Sequence, residues 1–158
     1  MSFAGTLAGV WRLSSRQRRQ LPVAVGLLLL TRLSIRVQRV GATQRQLERW
    51  VVGRSRCEGG ERTPGFDLLD ARALAEVVDA VAVQRGIGAD CLCRSLVLWA
   101  WLQRREQPAQ LRFGVRRLGS AIVAHAWVEL DGAVVNDTDE VAERYAPFPA
   151  PGPRTRWA

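Results

Sequence analysis

The chain has 158 residues and a mass of 17.6 kDa, and 47% of its residues are apolar. That is enough for one domain with a core of its own, and it excludes intrinsic disorder, collagen and a coiled coil. Twenty-three basic residues, every one of them arginine, face fifteen acids for a formal charge of +8. The charge is uneven: residues 1–56 hold eleven Arg and one acid, Glu48, whereas residues 57–158 hold twelve Arg and fourteen acids. Basicity therefore belongs to the first third. An all-arginine bias reads as the trace of a GC-rich coding sequence. No recognised motif or aromatic stacking pattern accompanies it, so nucleic acid is not an expected partner.

In chain order, Arg16, Arg18 and Arg19 precede an apolar run from Leu21 to Leu30. The run resembles the apolar region of a signal peptide, but no small-residue cleavage site follows and Thr31 and Arg32 end it. Ten residues interrupted by Pro22 and Gly26 are also too few to span a bilayer. Residues 1–56 read as a basic segment of two or three helices. Packing on the main domain or on a partner is the preferred role, with docking on a membrane surface the weaker one. Gly53 to Gly65 reads as a linker or exposed loop.

Phe66 to Arg85 reads as a helix, with Leu68, Leu69, Ala73, Leu74, Val77, Val78 and Val81 at spacings of three and four. Asp90 reads as the N-cap of a second helix from Cys91 to about Arg105, apolar on nearly all sides and therefore central. Strands are expected over Leu111–Arg116, Ile122–Leu130 and Ala133–Asn136, then a short acidic helix over Asp139–Tyr145 and a Pro-rich tail over 146–158. Helices followed by strands make an α+β domain spanning 66–145.

Three cysteines (Cys57, Cys91, Cys93) and one histidine (His125) are too few for a structural zinc site. Cys91 and Cys93, two apart on a helix, point away from one another and cannot bridge. An odd count without a disulfide framework suits a reducing cytoplasm. Cys91 falls at the first position of its helix, where unpaired N–H groups and the positive dipole end favour a thiolate. His125 lies in a strand and Asp137 at the end of the next. Nucleophile, base and orienting acid in that order suit acyl transfer. Cys93 reads as a small core residue, and Cys57 as a loop residue without a role.

The hairpin offers a geometric expectation. A two-residue turn at Asp131-Gly132 places Asp137 opposite Ala126, on the face away from His125. A three-residue loop Leu130-Asp131-Gly132, with Gly132 left-handed, places it directly opposite His125. A Cys–His–Asp set therefore predicts the longer loop. The shorter turn points instead to Asn136 or Asp139.

These residues resemble a family. Cys91-Leu92-Cys93-Arg94-Ser95-Leu96-Val97-Leu98-Trp99, Leu111 to Arg117, Ala124-His125-Ala126-Trp127-Val128-Glu129 and Val134-Val135-Asn136-Asp137 are similar to the motifs of stand-alone lasso-peptide leader peptidases. Those are transglutaminase-like cysteine proteases of lasso-peptide (microcin-type) biosynthesis in bacteria. The resemblance covers about residues 66–140. It implies a papain/transglutaminase-like core, a Cys-bearing helix packed on an antiparallel sheet, behind an N-terminal helical extension. It also implies Cys91 as nucleophile, His125 as base and Asp137 as orienting acid, with Cys93 at a variable position. The oxyanion hole would include the Cys91 N–H, and by papain-like analogy Gln84 could add a side-chain donor.

By the same resemblance the substrate is the leader region of a lasso precursor peptide. The partners are a small leader-recognition protein and an ATP-dependent lasso cyclase; no metal or organic cofactor is implied. Two other readings use the same residues: transfer of the acyl group to an amine, and a non-catalytic peptide-binding adaptor docked through the basic helices.

Overall fold

The computed structural model describes residues 13–38, 42–43, 46–47, 65–84, 87 and 89–148. Most of the linker expected over 53–65, Cys57, and the tail beyond residue 148 lie outside the described residues.

The chain runs α1 (Ser15–Arg18), α2 (Leu21–Gln38), α3 (Leu68–Ala82), α4 (Cys91–Gln103), β1 (Ala109–Leu118), β2 (Ala121–Leu130), β3 (Ala133–Val134), α5 (Val141–Arg144) and β4 (Ala146–Pro147). The strands form one antiparallel sheet in the order β3-β2-β1-β4. Long helices on one side of an antiparallel sheet make the domain α+β.

Local chemistry explains where the helices begin. Ser14 and Gln17 form a reciprocal capping box at the start of α1, Gln17 N–H donating to Ser14 Oγ at 3.3 Å and Ser14 N–H to Gln17 Oε1 at 2.8 Å. The same Gln17 amide donates to Ala73 O and Glu76 Oε2 at 3.1 and 2.9 Å, tying α1 to α3. Pro22 does not interrupt the apolar run after Leu21. It sits in the first turn of α2, where a backbone N–H has no intrahelical acceptor to lose. Asp67 caps α3 by accepting from Asp70 N–H at 2.9 Å, and Asp90 caps α4 by accepting from Cys93 N–H at 2.8 Å.

The core joins α2, α3 and α4 to the sheet. Ala24, Leu27 and Leu28 of α2 pack with Leu74, Val77 and Val81 of α3, with Cys93, Val97, Leu98 and Leu102 of α4, and with Val128 and Leu130 of β2. Helix α4 is central, as its all-round apolarity requires. The family of apolar side chains on α2 is only half used: Leu30, Leu33 and Val37 remain exposed. No helix among the described residues is long and apolar enough to cross a membrane.

A second, smaller cluster covers the other face of the sheet, where Trp127 is closed over by Val134, Val141 and Tyr145. Gly114 on β1 makes room for it. A Cβ there would stand 3.0 Å from two Trp127 ring carbons and 3.0 Å from Ala146 O. Gly114 also pairs with His125 across the β1/β2 ladder.

Several boundaries differ from the sequence reading. Strands β1 and β2 extend to a two-residue turn at Gly119-Ser120, beyond the apolar pattern, because ladder bonds continue after the core ends. The third strand stops at Val134 instead of Asn136, and the acidic helix shortens to Val141–Arg144.

Candidate active site

Cys91 is the first residue of α4 and half-buried, while Cys93 is 2% exposed. The two thiols are in different environments. Cys93 Sγ faces the core, with Leu28 O at 3.7 Å. Burial pushes its thiol up to about 11, and the nearby Asp90 charge adds to this. A thiol held protonated in apolar surroundings is a poor nucleophile. Cys91 has no such enclosure. As first-turn residues, Cys91 and Leu92 present N–H groups without intrahelical acceptors, at the positive end of the helix.

His125 and Asp137 meet. His125 Nε2 lies 2.5 Å from Asp137 Oδ2, with both side chains about four-fifths covered (18% and 20% exposed). A carboxylate only accepts, so in the neutral imidazole this bond selects the tautomer with its proton on Nε2 and its lone pair on Nδ1. The imidazole is also held by rings. Tyr145 stacks on it at 4.8 Å between centroids and Trp127 at 6.2 Å. Arg116 covers the Tyr145 ring at 4.9 Å. Nearby, Arg94 pairs with Asp79 at 3.2 Å, yet burial holds the Asp79 carboxyl above its ordinary range, and the Asp137 charge pushes the same way.

The turn that brings this about is not the expected one. Leu130 pairs with Ala133 and Glu129 with Val134, a two-residue turn in which Asp131 (φ 49°) and Gly132 (φ 83°) are both left-handed. Positive φ at both central residues is the I′ signature favoured by an Asp-Gly pair. In an unbroken ladder this register would leave Asp137 on the wrong face. The ladder breaks first. Val135 N–H still donates to Val128 O at 2.9 Å, but Val128 N–H donates to Asn136 Oδ1, a side chain, at 2.8 Å. From there alternation no longer dictates direction, and residues 135–137 bend so that Asp137 reaches His125. Arg72 of α3 holds the outer edge of the bend, donating to Val134 O at 3.1 Å and pairing with Asp139 at 2.9 Å. Asp139, one of the two alternatives for the short turn, is thus engaged by Arg72, and the other, Asn136, serves the strand.

Cys91 is linked to the pair through its own helix. Ser95, one turn further along, donates from Oγ to Ala126 O at 2.9 Å, and Ala126 follows His125. Gln84, just past the end of α3, directs its amide back to Ala80 O of that helix at 2.8 Å. Among the described residues no group of three or more His, Cys, Asp or Glu side chains is arranged to hold a metal ion.

Three contributors escaped the sequence reading. Ser95 gives no signal of its own inside an apolar helix. Tyr145, the single tyrosine of the chain, stands at the end of a weak acidic helix. Gly114 does carry a signal, because glycine within a strand marks close approach of another group.

Residues 27–150 match the family model described as the transglutaminase-like superfamily. No curated protein and no solved structure matches the chain.

Proposed function

Since the chain belongs to the transglutaminase-like superfamily, whose members include cysteine peptidases and acyltransferases, we propose that it is a cysteine peptidase that removes the leader from a lasso precursor peptide. The bond between His125 Nε2 and Asp137 Oδ2 carries this reading, because it leaves Nδ1 of the only histidine in the chain able to take a proton. Resemblance to the leader peptidases in four ordered motifs supplies the substrate.

In this mechanism Cys91 is the nucleophile. His125 Nδ1 takes the thiol proton, and the thiolate attacks the carbonyl carbon at the end of the leader. Negative charge on the carbonyl oxygen is met by backbone N–H at the start of α4, including that of Cys91. The tetrahedral species collapses as His125 gives its proton to the leaving amine, which departs as the N-terminus of the core peptide. A water, deprotonated by His125, then hydrolyses the thioester, releasing the leader as a free acid and restoring the thiol. Asp137 keeps the ring in one tautomer and stabilises the imidazolium.

A small leader-recognition protein would deliver the precursor, and an ATP-dependent cyclase would receive the core, all in the cytoplasm. The test is incubation with a candidate precursor, with and without the leader-binding partner, read by mass. Free leader acid and free core peptide support the reading. A superfamily that includes acyltransferases favours a second outcome, a leader joined to an amine through the same thioester. An amide-linked product in place of the acid would establish that instead.

A further inference from the structure

Helix α4 is apolar on nearly every side, and apolar contact is non-directional. Packing alone therefore does little to fix its rotation or its advance along the sheet, and a slip of one turn would move Cys91 by about 5.4 Å. Something directional has to set that register.

The edge that β3 vacates supplies it. Past Val135, the outward groups of β2 lose their backbone partners, and side chains replace them. Val128 N–H donates to Asn136 Oδ1 at 2.8 Å, and Ala126 O accepts from Ser95 Oγ at 2.9 Å. Asn136 Nδ2 donates to Ser95 Oγ at 2.9 Å, so the hydroxyl is used as donor and acceptor at once. Ser95 is fully buried at 0% exposure, where an unpaired carbonyl or hydroxyl is costly and a satisfied network specifies one arrangement. Within this network Ser95 stands one turn after Cys91, Ala126 next to His125 and Asn136 next to Asp137.

We propose that Ser95 and Asn136 are a positioning pair that sets the register of α4 against β2 and so the approach of Cys91 to His125. The proposal rests on the Cys91–His125–Asp137 reading above. Neither residue touches substrate; both act through the backbone of the three that do the chemistry. Slippage of the helix would leave the thiol without its proton acceptor.

The test is alkylation of Cys91 by iodoacetamide across pH on the full chain, with the modified cysteine located by mass and the fold checked by circular dichroism. In the unaltered chain the pH profile of Cys91 alkylation depends on His125, and His125→Ala changes it. Ser95→Ala is expected to shift the profile toward that of His125→Ala, slowing alkylation in mildly acidic buffer by about tenfold. Ser95→Thr, which keeps the hydroxyl, restores it. Asn136→Ala, which removes the donor to Ser95 and the acceptor of Val128 N–H without adding a charge, carries the same comparison should Ser95→Ala not fold. Asp90, Asp137, Arg116 over the Tyr145 ring and the Arg94–Asp79 pair, charges around the thiol and the ring, are untouched by these substitutions. A folded Ser95→Ala or Asn136→Ala protein with the unaltered profile overturns the positioning pair alone. A profile that His125→Ala leaves unchanged overturns the triad reading and the pair with it.

Discussion

His125 and Asp137 are bonded at 2.5 Å although they are not partners in the hairpin that connects them. The β2/β3 ladder has only two rungs, Glu129 with Val134 and Leu130 with Ala133. Beyond Val135 the side chain of Asn136 takes the place of the backbone, and the chain is released to turn Asp137 toward the ring. A broken ladder thus does what the register by itself would forbid.

If this bond orients a catalytic ring, its two members are not equivalent. His125→Ala is expected to lower leader release by about two to four orders of magnitude, the usual range for losing a positioned acid–base group. Asp137→Asn keeps the shape and permits the wrong tautomer, so a loss is expected there too, without loss of the cooperative thermal transition. Rates from a mass-based cleavage assay, with melting followed by circular dichroism, check both.

Cys93 gives a stability that depends on pH. Its folded thiol is raised to about 11 from an ordinary value near 9.0, chiefly by burial. The folded state therefore holds the proton that the unfolded chain releases. Its contribution is complete below the unfolded value and is lost as pH rises through about 11. Cys93→Ala should flatten the fall in unfolding free energy across that alkaline window. Urea denaturation at a series of pH values measures it.

Gly114→Ala tests the second face of the sheet. Its Cβ would meet the Trp127 ring and Ala146 O at 3.0 Å, one contact on a large buried ring and the other on backbone, neither able to yield cheaply. Overpacking of that kind costs about 1–3 kcal/mol. A lowered thermal midpoint is expected, and the altered seat of Trp127, which stacks with His125, should slow turnover as well.

Much of the fold was legible because it follows from periodicity. Leu74, Val77, Val78 and Val81 repeat at helical spacing and are buried, and the all-round apolarity of α4 does place it at the centre. The capping residue Asp90 and the core position of Cys93 were readable for similar local reasons. The hairpin was not. The choice between a two- and a three-residue turn depends on whether Asp131 accepts a left-handed backbone, which Asp tolerates and most residues do not. Alternation was then carried to Asp137, past the point where Asn136 had replaced the backbone as acceptor. A side chain that competes with the ladder is a known habit of Asn, and it is the signal that was available. The role of Ser95 had no such trace, since a buried hydroxyl in a helix acquires meaning only from the strand it reaches.

In the proposed mechanism Cys91, and not the neighbouring thiol, attacks the leader. The most direct test is precursor cleavage by Cys91→Ala and Cys93→Ala proteins side by side, read by mass in the presence of the leader-binding partner. No leader release is expected from the first and near-normal release from the second. An inactive Cys93→Ala protein that still folds, beside an active Cys91→Ala protein, would contradict it.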